Sequence, residues 1–377
     1  MKKIFFSLII ILQFVQLASA ETKIMISAKN YKSAKMNIAW FGADGQYIVQ
    51  GIPINDSSGE ITIDAPEGTS LSLVNLDSRN SITMGNAVMP GISFTFFAEK
   101  GTIKISFDGD HWPLLTIEGG TLSKDCNNYW NVLAPIEKAK FENRKKSIGL
   151  DKNSPNPELD KEREILEKEK EIIQHSFIVK NPGSLLAIDI LSERFLKYSL
   201  EEVEQLYKNF GNHVKQTVKG KALAAKIIEA KATLPGMPAP KFTKKDKEGK
   251  QISLDNYKGK YVLIDFWGTW CKPCRASFPH LIMLYNKYKS LGLEFINIAQ
   301  EGGKNARDKW LKAIDEDGLV WTQILNDEEM DKCDVVKLYN IQVFPTKVLI
   351  DPKGNIVDTW IGESPKFDEK LKEIFGK

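Results

Sequence analysis

The chain has 377 residues, 42% of them apolar and 27% charged, with 52 Lys and Arg against 49 Asp and Glu for a formal net charge of +3. That length exceeds one ordinary domain of roughly 100–200 residues, so two or three are expected. Acids and bases are interspersed, which argues against a nucleic-acid footprint and reads as solvated surface.

At the N-terminus, Lys2 and Lys3 precede an apolar stretch from Ile4 to Leu17, and Ala18-Ser19-Ala20 supplies the small residues a signal peptidase accepts. The stretch is shorter than the ~20 residues a membrane span needs, and Gln13 and Gln16 interrupt it. Residues 1–20 therefore read as a signal peptide cleaved near Ala20, with an uncleaved membrane anchor as the alternative. On that reading the protein is exported and works in the periplasm or cell envelope, where disulfides form and persist.

Residues 21–121 carry short β-rich runs between turn signals at Asp44-Gly45, Ser58-Gly59, Glu67-Gly68 and Lys100-Gly101. EITID at 60–64 and TIKISF at 102–107 alternate apolar and polar residues, as antiparallel strands with one buried face do. A β-rich N-terminal domain, a small sandwich, is expected there. Residues 122–232 switch to helical spacing through Tyr129, Leu133 and Ile136, then through Ile165, Leu166, Ile172 and Ile173 within a heavily charged run. Asn181-Pro182-Gly183 breaks that pattern, and Ser199 with Glu202 has capping-box spacing for a further helix ending near Gly211. The region reads as an α-helical connection between two domains.

TLPGMPAP at 233–240 has three prolines and one glycine in eight residues, which favours an extended connection and marks the start of a C-terminal domain over 233–377. A hairpin ending at Gly249 is followed by a buried strand at 261–266, a helix to about Ser290, a strand at 293–299, a helix at 306–314 and a strand at 320–325. TKVLID at 346–351 and NIVDTWI at 355–361 flank the Pro352-Lys353-Gly354 turn before a terminal helix. Alternating strands and helices ending in a hairpin indicate an α/β layer structure with a mixed sheet.

Between the strand at 261–266 and its helix lies FWGTWCKPCRASFP, residues 266–279, with two of the four cysteines, Cys271 and Cys274, two residues apart. Three readings compete: a structural disulfide, half of a zinc site, or a dithiol that cycles. A bridge over two residues closes too small a loop to remove much unfolded-state entropy, and a chain this long can bury an adequate core without staples. A structural zinc site wants four ligands, yet no second C-x-x-C exists, and His111, His175, His213 and His280 are scattered. No metal is expected. Cys271 at a helix start would be favoured as thiolate and is the candidate nucleophile; Cys274, one turn later, is the candidate resolving thiol. Pro273 suits the first helical turn, and Pro279 falls inside the same helix, which it should kink.

FWGTWCKPC, followed by Pro279 and later by VFPT, resembles the thioredoxin fold, and the strand and helix units between 293 and 325 with APKF at 239–242 make the C-terminal domain most similar to the exported TlpA/ResA-like thiol:disulfide oxidoreductases. The resemblance covers roughly residues 235–377, and the upstream part is vaguely similar to the N-terminal extension of some exported members. It implies an α/β thioredoxin-like domain with no cofactor beyond a redox-active Cys271–Cys274 disulfide. It assigns Asp265 to the buried carboxylate that relays the proton of the resolving thiol, the alternative being an aspartate that caps a turn. It also implies that Pro345 is a cis-proline lying against the cysteine pair and that the backbone of Phe344 pairs with a substrate strand. Trp270, Lys272 and Pro273 would complete the substrate contact, with Trp267 and Trp270 as apolar walls or, alternatively, as plain core. An acid found in many ResA-like members three residues after the second cysteine is replaced by Ser277. Cys126 and Cys333 fit no motif and read as two buried free thiols, an interdomain bridge being the alternative.

The resulting expectation is an enzyme that exchanges protein or peptide disulfides through the CKPC dithiol. Pro273 and Asp265 lean it towards a reductase, which in an oxidising compartment needs a transmembrane electron donor. A thiol peroxidase of peroxiredoxin type is the second reading, although Thr269 stands two rather than three residues before Cys271. A redox-inactive binding module is the third. Whichever reading holds, the β-rich domain is expected to bind a partner or support a homodimer through the N-terminal region.

Overall fold

The computed structural model describes residues 19–376 apart from 43–44, 78, 80, 85–86 and 149–155. The leader expected over residues 1–20 lies outside that range except for Ser19 and Ala20, and so does Asp44 of one expected turn. The chain divides into two compact units between Ala222 and Leu223.

Among the described residues the first unit carries the strands β1 (Ser19–Lys29), β2 (Lys35–Phe41), β3 (Tyr47–Pro53), β4 (Ser58–Pro66), β5 (Ser70–Val74), β6 (Ser81–Met84), β7 (Ala87–Pro90), β8 (Ser93–Phe97), β9 (Gly101–Asp108) and β10 (Leu115–Glu118). They form four-stranded sheets of order β10-β9-β1-β4 and β3-β2-β5-β8, with β6 and β7 as a separate hairpin. Ile24, Ile26 and Ala28 of β1 and Ile103, Ile105 and Phe107 of β9 are buried while their neighbours face out, the period-two pattern of a half-buried sheet. Phe94 of the second sheet and Phe107 of the first both pack on Trp112, at 5.6 and 5.0 Å between ring centres.

Two expectations are corrected here. The strands are not all antiparallel, because β1 runs parallel to β9 from Thr22↔Gly101 to Lys29↔Asp108. A parallel pair needs a long connection, which β2 to β8 provide. Ser58-Gly59 is the start of β4 rather than a turn; the reversal lies at Asp56 and Ser57, with φ of 48° and 63°, closed by mutual backbone bonds between Asn55 and Ser58.

Helices follow: α1 (Lys124–Ile148), α2 (Pro157–Lys180), α3 (Leu185–Glu193), α4 (Leu200–Asn209), α5 (Asn212–Lys215) and α6 (Val218–Ala232), the last spanning the division between units. Leu159 N–H donates to the Asn156 side chain at the start of α2, and Glu202 N–H to Ser199 Oγ at the start of α4.

The second unit holds the hairpin β11 (Thr243–Lys245) and β12 (Gln251–Ser253), then β13 (Tyr261–Trp267), α7 (Lys272–Tyr288), β14 (Leu293–Ala299), α8 (Ala306–Glu316), β15 (Thr322–Leu325), α9 (Val335–Leu338), β16 (Thr346–Ile350), β17 (Ile356–Ile361) and α10 (Pro365–Phe375). Gly249 sits inside the hairpin turn, at φ 83°, rather than at the hairpin's end. The sheet order is β15-β14-β13-β16-β17, parallel across β15, β14 and β13 and antiparallel beyond. The expected mixed α/β sheet is present, and β13 is its central strand, buried on both faces. Leu263 and Trp267 face a core layer with α7, Trp310 of α8 and Phe367 and Leu371 of α10. Val262, Ile264 and Phe266 face the opposite layer with Phe242, Ile252 and Val335. The proline-rich segment is extended only in its second half: Leu234 to Met237 is a turn, closed by Met237 N–H to Leu234 O at 3.1 Å with Gly236 at φ 87°, and it docks on the start of β17, where Gly236 N–H donates to Ile356 O and Ile356 N–H to Met237 O at 2.7 and 2.8 Å.

Candidate active site

The apolar run of β13 ends at Trp267, and Gly268-Thr269-Trp270 carries the chain to Cys271, the N-cap of α7. A side chain could not replace the hydrogen of Gly268: a Cβ there would lie 2.6 Å from Trp270 Nε1 and 2.8 Å from Gln300 O. Cys271 N–H donates to Gly268 O, and Cys274 N–H donates to Cys271 Sγ at 3.2 Å, the bond an oxygen makes at an ordinary N-cap. Pro273 in the first turn has no N–H to leave unpaired. Cys271 and Cys274 are joined by a disulfide with 5.3 Å between their Cα atoms; Cys271 is 4% exposed and Cys274 wholly buried. When the bond opens, the sulfur at the helix N-terminus is the one that backbone N–H groups and the helix dipole stabilise as thiolate.

A residue the sequence did not single out holds this turn. Glu301, two residues past β14, accepts the Thr269 backbone N–H at one carboxylate oxygen and the Thr269 hydroxyl at the other, both at 2.6 Å. Its own N–H donates to Asp327 at 2.8 Å. A glutamate following Gln300 in a loop has no sequence signal, because its partner lies 32 residues away.

Asp265 stands in the middle of β13, 1% exposed, between Leu263 and Trp267 on the face that α7 covers. It caps no turn, and neither carboxylate oxygen has a hydrogen bond. Burial pushes its carboxyl up to about 7, against the pull of the Lys347 ammonium. Lys347 was also unforeseen, since a lysine in a strand reads as surface; here it is 2% exposed and pairs across the ladder with Asp265.

The Phe344–Pro345 bond is cis. Phe344 is half-buried against the layer that contains both cysteines, and its ring meets that of Trp270 edge-on at 5.4 Å between centres. Trp270 is 59% exposed and its indole N–H donates to Gln300 O at 2.9 Å. Lys272 and Pro273 are exposed beside it, and Pro345 is buried. Of the two readings of Trp267, groove wall or plain core, the second holds: it is wholly buried against Phe278, because it is the last inward residue of β13. Ser277 Oγ, where the resembling proteins carry an acid, donates to Cys274 O at 2.7 Å. Pro279 lies within α7, which continues to Tyr288.

Cys126 and Cys333 are both free. Cys126 is buried, which raises its thiol well above the ordinary range; Cys333 is half-buried rather than buried, and its carbonyl accepts from Lys244 Nζ at 3.0 Å. Among the described residues no group of three or more His, Cys, Asp or Glu side chains is placed to hold a metal ion.

The C-terminal part of the chain is similar in sequence to known proteins. Residues 235–359 match the AhpC/TSA family. The chain is similar to a thiol-disulfide oxidoreductase ResA of Bacillus thuringiensis, 37% identical over 142 residues that make up 37% of this chain and 78% of the relative. It is similar also to that of Bacillus subtilis, 34% identical over 127 residues, 34% of this chain and 67% of the relative. Among solved structures, the thioredoxin domain of a thiol-disulfide oxidoreductase from Bacteroides vulgatus is 34% identical with a TM-score of 0.34, covering 37% of this chain and 97% of that one. A thiol:disulfide interchange protein from Bacteroides sp. is 33% identical with a TM-score of 0.35, covering 39% and 93%.

Proposed function

The chain belongs to the ResA family of thiol-disulfide oxidoreductases, and from that premise we propose that Cys271 and Cys274 are its cycling dithiol and that it works as a reductase of protein disulfides outside the cytoplasm. The observation that carries the proposal is the disulfide at the N-terminus of α7, with Cys271 Sγ in the N-cap position and Cys274 one turn behind it in the core.

In the reducing direction the Cys271 thiolate attacks a substrate disulfide, forming a mixed disulfide and expelling one substrate thiolate. Cys274 then loses its proton to Asp265, and its sulfur attacks Cys271 Sγ. That step releases the second substrate thiolate and leaves the Cys271–Cys274 disulfide, so two electrons pass from the dithiol to the substrate. Trp270, Lys272 and Pro273 flank the cysteines in the chain and Phe344 meets Trp270 edge-on, which supports the reading that these residues and Pro345 form the surface on which a substrate strand would lie. Pro273 and the buried Asp265 favour the reducing direction. Export rests on the leader-like residues 1–20, and an exported reductase draws its electrons from a transmembrane donor. The strand-rich first unit would serve partner binding or dimerisation.

A thiol peroxidase is the second reading, because the AhpC/TSA match covers the same residues. Against it, the Thr269 hydroxyl is committed to Glu301. Rapid, stoichiometric consumption of peroxide by the reduced chain would establish that reading instead.

The test is the midpoint potential of the pair, measured on the full chain carrying Cys126→Ser and Cys333→Ser in glutathione or dithiothreitol buffers. A value near about −270 mV identifies a reductant that needs a membrane electron source, and one near about −120 mV reverses the direction. No reversible two-electron titration would leave the redox-inactive binding module as the reading.

A further inference from the structure

The ladder between β13 and β16 sets Asp265 opposite Lys347, and both side chains are sealed in the core beneath α7. The Lys347 ammonium lies 3.7 Å from Asp265 Oδ1 and donates to Glu363 Oε1 at 3.3 Å. The longer separation is beyond a hydrogen bond, so the ammonium is shared unequally and Glu363 holds it better. Glu363 follows β17, is exposed, and stands 3.9 Å from His280 Nδ1 of α7, whose Nε2 is 3.3 Å from Asp368 of α10. On β14 the neighbour of Asp265 is the neutral Asn297, whose Oδ1 accepts from Trp321 Nε1. The remaining chemistry on this face is the Cys271–Cys274 disulfide of α7.

Resting on the reading of that disulfide as a cycling pair, we propose that Lys347 is a positioning residue whose ammonium, shared between Asp265 and Glu363, sets the pH at which Asp265 takes up the proton of Cys274. The packing has no need of a cation at this position. The next three residues of β16 are Val348, Leu349 and Ile350, all buried, and removing a lysine from water costs several kcal/mol unless anions receive it. The anions within reach are Asp265, with no other polar partner, and Glu363 at the surface. A cation near a buried carboxyl favours its ionised form, whereas a second carboxylate competing for that cation disfavours it. The two neighbours act in these opposite senses on Asp265, Lys347 lowering its titration and Glu363 raising it. In the resolving step the Cys274 S–H bond breaks, its proton goes to an Asp265 carboxylate oxygen, and the freed electron pair forms the new bond to Cys271. The strength of the Asp265–Lys347 attraction therefore decides above which pH Asp265 is an empty acceptor.

The experiment follows the carboxyl signals of ¹³C-labelled aspartate in the full oxidised chain from pH 4 to 9, with Asp265 assigned by its loss in Asp265→Asn. The pH profile of disulfide reduction by the same chains is measured in parallel. Lys347→Met is expected to raise the Asp265 midpoint by ~1 unit or more and to carry the rate profile with it. Lys347→Arg should restore both in large part. Glu363→Gln, at an exposed position that does not threaten folding, is expected to move midpoint and profile down. Shifts of opposite sign in Lys347→Met and Glu363→Gln support the proposal, and should Lys347→Met not fold, a downward shift in Glu363→Gln supports it alone. An unmoved midpoint in Glu363→Gln, or shifts of the same sign in both variants, overturns it. A wild-type chain that exchanges no disulfide would sink the cycling-dithiol reading separately, while the carboxyl titration still reports whether Lys347 controls Asp265.

Discussion

Thr269 is tied to Glu301 through both its backbone N–H and its hydroxyl, at 2.6 Å each, so the turn that delivers Cys271 to the start of α7 is fastened to the end of the neighbouring strand. A charged acceptor bonded twice is worth more than an ordinary hydrogen bond, and removing it strands a part-buried N–H. Glu301→Ala should lower stability by about 2 kcal/mol in urea unfolding and slow disulfide exchange, because the N-cap sulfur is then held less firmly. Glu301→Gln, which keeps an acceptor oxygen, should lose about half as much. Unchanged unfolding and unchanged exchange in Glu301→Ala would show that the rest of the turn suffices.

Gly268 occupies the narrowest point of that turn, with the Trp270 indole and Gln300 O both inside 3 Å of where a Cβ would stand. Backbone cannot retreat as a flexible side chain can, so the indole must move. Gly268→Ala is expected to break the bond from Trp270 Nε1 to Gln300 O, shift the Trp270 indole N–H resonance, and destabilise the chain by about 1–3 kcal/mol. An unshifted resonance would mean that the turn absorbs a methyl group elsewhere.

Asp265 makes stability depend on pH in the opposite sense from an ordinary paired carboxylate. Burial raises its folded-state value to about 7, against roughly 4 in the unfolded chain. Between those values the folded state binds the extra proton, so stability falls as pH rises through that window and the loss is complete above about pH 7. The shift of about 3 units corresponds to an upper bound of ~4 kcal/mol. Asp265→Asn should therefore match the wild type near pH 4 and exceed it above pH 7, by less than that bound because Lys347 loses one of its two carboxylates. Unfolding midpoints in urea across pH 4 to 8 measure the difference, and a gap that does not widen with pH would contradict the buried titration.

The parts of this site that could be read in the sequence are the local ones. An apolar strand, a C-x-x-C pair and a proline in the first helical turn lie within 15 residues, and their order alone indicates a strand, a helix start and a thiol at the N-cap. Partners brought together by register were not legible. Lys347 reaches Asp265 only because β16 runs antiparallel beside β13, and a lysine in TKVLI looks like the exposed member of an alternating strand until the sheet is known to be covered on both sides. Glu301 is silent for the same reason. In the first unit the alternation of β1 and β9 was visible, but their parallel pairing depends on strands in between that cross to another sheet. Trp267 and Trp270 show the limit of composition: three residues apart, one is sealed in the core and the other is exposed, because the strand ends between them.

That exposure makes Trp270 the most direct test of substrate contact. Its ring leans edge-on against Phe344, yet more than half of it faces solvent, so the fold gains little from it. Large exposed aromatics next to a reactive group gain their energy when a partner covers them. Trp270→Ala is expected to raise KM for a protein disulfide about tenfold, a loss of about 1.4 kcal/mol, while the rate with a small aromatic disulfide and the urea midpoint change little. Trp270→Phe, which keeps a ring but not the bond to Gln300, should fall between the two. If both substrates slow equally in Trp270→Ala, the indole acts by bracing the turn that carries Cys271, and the substrate is read by Lys272, Pro273 and the backbone at Phe344 instead.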